Sequence, residues 1–164
     1  MRVLFFLDFD GVLHHFFPLP GIPEEENTHF YYLRWFEGAL REVPEAQVVI
    51  ASTWRNNFTL DQLRAHFAPD LRARIIGTTP NLGSHQDGRR HDEVVAYLRA
   101  NQLDDVPWVG IDDMDFLYRP GDCLVQCPDK FGPVQKAQLI EAASNPAEFA
   151  RNHPVRPASK ARSG

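Results

Sequence analysis

Cysteine is nearly absent. Cys123 and Cys127 are the only two in 164 residues, and their spacing fits neither CxxC nor a zinc pattern. Two thiols in a chain without an export signal read as reduced bystanders. No apolar stretch approaches membrane-spanning length, because Asp8 interrupts the N-terminal run. That run has no basic segment beyond Arg2 and no small-residue cleavage site, so it does not read as a secretory signal. The expected compartment is therefore cytoplasmic, with no membrane partner. The seven histidines are scattered without an HxxxH spacing, which argues against zinc. Internal repeats are absent. Basic charge is in deficit, with 17 Lys and Arg against 22 Asp and Glu, for a net charge of −5. That balance argues against broad, charge-driven nucleic-acid binding while leaving room for a local basic patch.

The composition that remains, 43% apolar and 24% charged, is ordinary for a globular protein, and the length suits one domain with a real core. Val3–Leu7 is a continuous apolar run bounded by turn residues, which predicts a buried strand of a parallel sheet. Gln47–Ala51, Arg74–Thr78, Trp108–Ile111 and Cys123–Gln126 predict four more strands. Helical spacing covers Phe30–Val43, Asn56–Phe67, Arg90–Ala100 and Pro133–Ala143. The alternation predicts an α/β fold: a Rossmann-like three-layer sandwich, with a parallel five-stranded sheet and helices on both faces. The expected domain spans residues 1–143. Residues 144–164, with Pro, Ser, Arg and Lys and little that is apolar, are expected to form a loosely ordered tail.

Four groups fall at predicted strand ends or a helix start. Asp8-Phe9-Asp10-Gly11 follows the first strand, Ser52-Thr53 the second and Asp112-Asp113 the fourth, while Arg89-Arg90 opens the third helix. In a parallel sheet all strand C-termini lie on one edge, so these groups can converge. Two acids as close as Asp8 and Asp10 repel unless a cation lies between them, which implies a hard metal such as Mg²⁺. The set supplies a nucleophile, a second acid, hydroxyls, a cation and metal-binding carboxylates. That inventory suits phosphoryl transfer through an aspartyl-phosphate. Taken singly each group has an ordinary reading: a turn for DxDG, a helix N-cap for Ser52, solvated charge for the arginines.

The order and spacing of these motifs resemble the haloacid dehalogenase-like superfamily. STWR, IGTTP, R..EV..YL and WVGIDD resemble more narrowly a bacterial branch whose domain also occurs in Swiss Army Knife RNA-repair proteins. The resemblance implies a Mg²⁺-dependent phosphatase that hydrolyses a phosphate monoester. Asp8 would be the nucleophile and Asp10 the general acid and base. Ser52 would hydrogen-bond the phosphoryl group, and Arg90 or Arg89 would stabilise its charge. Mg²⁺ would be held by Asp8, the Asp10 backbone carbonyl, and Asp112 or Asp113. Thr53, Arg55 and Arg89 are further candidates for substrate contact.

Family members often carry a cap domain after the first motif or between the second and third. Here neither gap, Gly11 to Phe30 nor Arg55 to Gly88, has room for one. A capless, open site suits a large phosphorylated substrate, such as a nucleic-acid end or a protein, or closure by a second subunit. Phe16, Phe17, Arg55 and His85 lie on segments that can flank its mouth. Two alternatives stand beside the general phosphatase: an enzyme for nucleic-acid ends or nucleotides, and a non-catalytic module that retains the fold. The intact set of acids argues against the last, since paired buried carboxylates cost stability without a cation.

Overall fold

A computed structural model describes residues 2–157. Five strands form one parallel sheet: β1 (Val3–Leu7), β2 (Ala46–Ile50), β3 (Ile75–Thr78), β4 (Trp108–Asp112) and β5 (Leu124–Gln126), in the order β3-β2-β1-β4-β5. The alternation along β1 explains why it is apolar throughout. Val3, Phe5 and Leu7 enter one core, while Leu4 and Phe6 enter the other. The first core is closed by α1 (Leu33–Glu42), α2 (Leu60–Arg64), α4 (Pro133–Ser144) and α5 (Pro146–Asn152). The second is closed by α3 (Arg89–Ala100) through Val94, Tyr97 and Leu98. The result is the expected three-layer α/β sandwich, and no cap domain is evident among the described residues.

Chain order departs from sheet order between β1 and β4: the first three strands build outward on one side of β1, then the chain crosses to build on the other. Such a switch point is where open α/β sheets form a ligand crevice at the strand C-termini. Leu7 pairs with Ile111, and the Asp8 amide donates to the Ile111 carbonyl at 3.0 Å. Asp8 and Asp112 therefore leave adjacent strands side by side.

Several boundaries differ from the sequence expectation, each for a local reason. The first helix starts at Leu33 rather than Phe30, because Phe30 has φ +63°, which no right-handed helix accommodates. The helix expected over Asn56–Phe67 divides into a 3₁₀ turn at Thr53–Asn56 and the short α2. Thr59 starts α2 afresh through a capping box with Gln62. Arg74 is not in β3. It lies in a 3₁₀ turn, where its guanidinium donates to the carbonyls of Leu40, Val43 and Ala46.

The expected tail is corrected most. Residues 146–152 form α5, with Asn145 as the N-cap, Pro146 at the first turn and the Glu148 amide donating to the Asn145 side chain. Phe149 is buried in the main core and Val155 packs with Leu117, Tyr118 and Leu124. The domain thus continues past residue 143; residues 158–164 lie outside the described set. Phe149→Ala should lower unfolding free energy by about 3–5 kcal/mol, as expected for emptying a packed aromatic site. Urea unfolding checks this, and an unchanged midpoint would mean that α5 is not part of the folded unit.

Candidate active site

The first motif is shaped by the turn that follows β1. Val12 and Leu13 both donate to the Phe9 carbonyl, so the chain coils tightly after Asp8. Gly11 sits at φ +77°, where a Cβ would also lie 2.3 Å from an Asp113 carboxylate oxygen. Glycine is therefore required twice: by the left-handed backbone and by the close approach of Asp113. The turn leaves Asp8 buried, with its Oδ1 accepting the Phe9 amide at 2.8 Å.

Three carboxylates meet at the switch point. Oxygens of Asp8, Asp112 and Asp113 lie within 4.8 Å of one another. Burial, the Asp112 and Asp113 charges push the Asp8 carboxyl well above the usual range, against the pull of Arg90. Burial and Asp112 push Asp113 up to about 7. Arg90 is placed against this cluster, with its Nε 3.4 Å from Asp112 Oδ2. Burial opposes its charge, but Asp112 and Asp8 hold it firmly protonated. Glu93 holds it from the other side, accepting from Arg90 Nη1 at 2.9 Å.

Asp10 stands apart from the triad. Its Oδ1 accepts from Trp54 Nε1 at 3.1 Å and lies 2.8 Å from His14 Nε2. Burial favours its neutral form, but those two hydrogen bonds and the neighbouring His14 and His29 leave its pKa lowered. Asp8, Asp10, Arg90 and Asp113 nevertheless line one cavity, together with Thr53 and the exposed ring of Phe16. His85 reaches it from the loop before α3, whereas Phe17 projects into solvent.

The other candidates are placed differently. Ser52 is fully buried, and its hydroxyl caps the 3₁₀ turn by accepting the Trp54 amide at 3.3 Å. Of the two, Thr53 is the residue that lines the cavity. Arg55 is not a free cation for substrate. Its guanidinium donates to the carbonyls of Ser52, Thr79 and Pro80 and to Glu93 at 2.7 Å, with its side chain 5% exposed. Arg89 donates to the Leu82 and Ser84 carbonyls and to Gln86, so it secures the loop before α3 rather than facing the cavity. Both corrections have one cause: a guanidinium carries five donors, and exposed carbonyls at strand and loop ends satisfy them.

Sequence reasoning did not single out Glu93, His14 or Trp54. Glu93 had a usable signal, since Arg90 and Glu93 are three apart on one helix. His14 had a weaker one, its position four residues beyond Asp10. Trp54 had none, because its contact with Asp10 spans 44 positions.

The family model for the HAD domain in Swiss Army Knife RNA repair proteins matches residues 4–132, and the chain belongs to that family. Membership supports a haloacid dehalogenase-type hydrolase in general. No curated protein and no solved structure matches the chain significantly. No helix among the described residues is long and apolar enough to cross a membrane. The family generally uses Mg²⁺, and the donor set fits: three carboxylates converge, and their repulsion exceeds what one arginine offsets.

This electrostatic arrangement fixes a pH dependence. Asp8 and Asp113 have raised pKa values in the fold, so their stabilising contribution is complete below the ordinary carboxylate value. It is lost as pH rises through the folded value, which for Asp113 means between 3.8 and about 7. A divalent cation needs the ionised forms and should restore stability most at the upper end. The melting-temperature gain from Mg²⁺ over EDTA should therefore grow across that interval, and Asp113→Asn should shrink the gain. A gain independent of pH, or none at any pH, would count against the cluster as a cation site.

Proposed function

We propose that this member of the HAD domain family is a phosphomonoester phosphatase that works through an aspartyl-phosphate on Asp8. The observation that carries the reading is the shared cavity, which brings the Asp8 carboxyl and a second, separate acid at Asp10 to one space with Arg90. Asp8, Asp112 and Asp113, with the Asp10 backbone carbonyl, would hold Mg²⁺, which when bound supplies charge neutralisation between the nucleophile and the phosphoryl oxygens.

An Asp8 carboxylate oxygen forms a bond to phosphorus while the bond from phosphorus to the ester oxygen breaks. Asp10 gives its proton to the departing oxygen. In the second half, Asp10 removes a proton from water, and the water oxygen bonds to phosphorus. The bond from phosphorus to the Asp8 oxygen breaks, releasing phosphate and restoring both acids. Arg90 carries fixed positive charge beside the transferring group, held by Glu93. Thr53 offers a hydroxyl to a phosphoryl oxygen, with Ser52 shaping the turn beneath it. The lowered pKa of Asp10 keeps it ionised in the free protein, the protonation state from which it can accept a proton. A bound phosphate dianion adds negative charge beside Asp10, which raises its proton affinity for the role of acid.

A second reading narrows the substrate to a phosphorylated nucleic-acid end. It rests on the RNA repair proteins named for the family and on the absence of a cap domain among the described residues. The structural contacts of Arg55 and Arg89 leave it without two of the substrate-contacting cations first expected.

Hydrolysis of p-nitrophenyl phosphate should require Mg²⁺ and stop with EDTA. Asp8→Asn should reduce it to background while the protein stays folded, because the amide is a poor nucleophile that keeps the carboxylate's shape. Asp8→Asn should also match or exceed wild-type stability in EDTA, since one of three repelling charges is gone. Wild-type turnover in Asp8→Asn would remove Asp8 as nucleophile. Oligonucleotides with 3′- or 5′-phosphates, compared with mononucleotides, separate the second reading from the first.

A further inference from the structure

We propose that His14 and Trp54 are positioning residues that fix which oxygen of Asp10 exchanges the proton. The inference rests on Asp10 acting as general acid. Both residues engage the same atom: His14 Nε2 lies 2.8 Å and Trp54 Nε1 3.1 Å from Asp10 Oδ1. Neither engages Oδ2. An indole N–H can only donate. The histidine is held to donation as well. The Phe30 amide donates to His14 Nδ1 at 3.2 Å, so that nitrogen carries no proton and Nε2 does. Two donors on Oδ1 draw electron density there and stop the carboxylate from rotating. The transferable proton is then confined to Oδ2.

The surroundings are built for this. His14 is buried, and the Gly11 amide donates to its carbonyl at 2.9 Å, so the turn after β1 folds His14 back against Asp10. Phe30 holds its amide toward the imidazole from φ +63°, a backbone state a bulky residue rarely adopts. Strain of this kind persists only where the surroundings over-determine it. Here Phe30 is packed edge-on against Phe9, His14 and Trp54 and stacked on His66. Trp54 in turn stacks on Phe58, so the donor that reaches Asp10 is fixed by packing on two sides.

The test compares kcat/KM for p-nitrophenyl phosphate, whose leaving group needs no proton, with that for an alkyl phosphate, whose leaving group does. Asp10→Asn defines the size of the leaving-group effect. Trp54→Phe keeps the ring and removes only the donor. It should lower kcat/KM for the alkyl ester by about ten- to a hundredfold, the worth of one hydrogen bond to a charged group, and for the p-nitrophenyl ester by less. His14→Gln, which retains an N–H donor, should fall between wild type and His14→Ala. In an Asp10→Asn background, Trp54→Phe should add no further leaving-group effect. Equal losses on the two esters in Trp54→Phe, or a full additional loss in the Asp10→Asn background, would overturn the positioning role. If Asp10→Asn itself shows no leaving-group dependence, the general-acid reading fails, and the positioning inference fails with it. Trp54 is half-buried and its ring is preserved, so this variant tests the proposal even if the buried His14 substitutions unfold.

Discussion

Mutual repulsion among Asp8, Asp112 and Asp113 is the constraint around which the rest of the site is arranged. Adjacent strand ends at a topological switch point bring the first two together, and the close approach of Asp113 to the Gly11 turn adds the third. A fold assembled from apolar strands gains nothing in stability from such a cluster, since taking carboxylates out of water is costly without a counter-charge. Arg90 meets part of that charge, and Glu93 keeps Arg90 in place. The chain continues through Glu93 to Arg55, whose donors gather the ends of β2 and β3. Buried ions that would be isolated liabilities thus form one connected network reaching from the sheet's centre to its edge.

The parts of this arrangement that depend on local pattern were legible in the sequence. Val3–Leu7 declared itself by an unbroken apolar run, and the sandwich followed from strands alternating with helices. The convergence of Asp8 with Asp112-Asp113 followed from parallel topology alone, since every strand then points the same way. Residues 146–152 were hidden by composition, although Asn145-Pro146 followed by Glu148 is a helix-start signal that outweighed the polar tail around it.

What was not legible depends on contacts between distant segments. Arg55 looks like a surface cation beside a mouth. Only the carbonyls of Ser52, Thr79 and Pro80, brought together by two strand ends, show it to be structural. Trp54 reads as a residue of a helical turn until the tertiary fold aims its N–H at Asp10. Ser52 and Thr53 present the same difficulty on a smaller scale. Two adjacent hydroxyls are equivalent in a sequence, and the turn they enter buries one and exposes the other.

The central claim is that Asp8 accepts the phosphoryl group. Rapid acid quench of the protein during turnover of a phosphate ester labelled at phosphorus, with a leaving group that needs no proton, followed by peptide mapping, tests it most directly. The account predicts transient label on the peptide containing Asp8, stable to acid and released by hydroxylamine, with greater accumulation in Asp10→Asn, where the water-activating base is gone. Label on any other residue would contradict it, as would phosphate released in step with the alcohol and no labelled protein in either form.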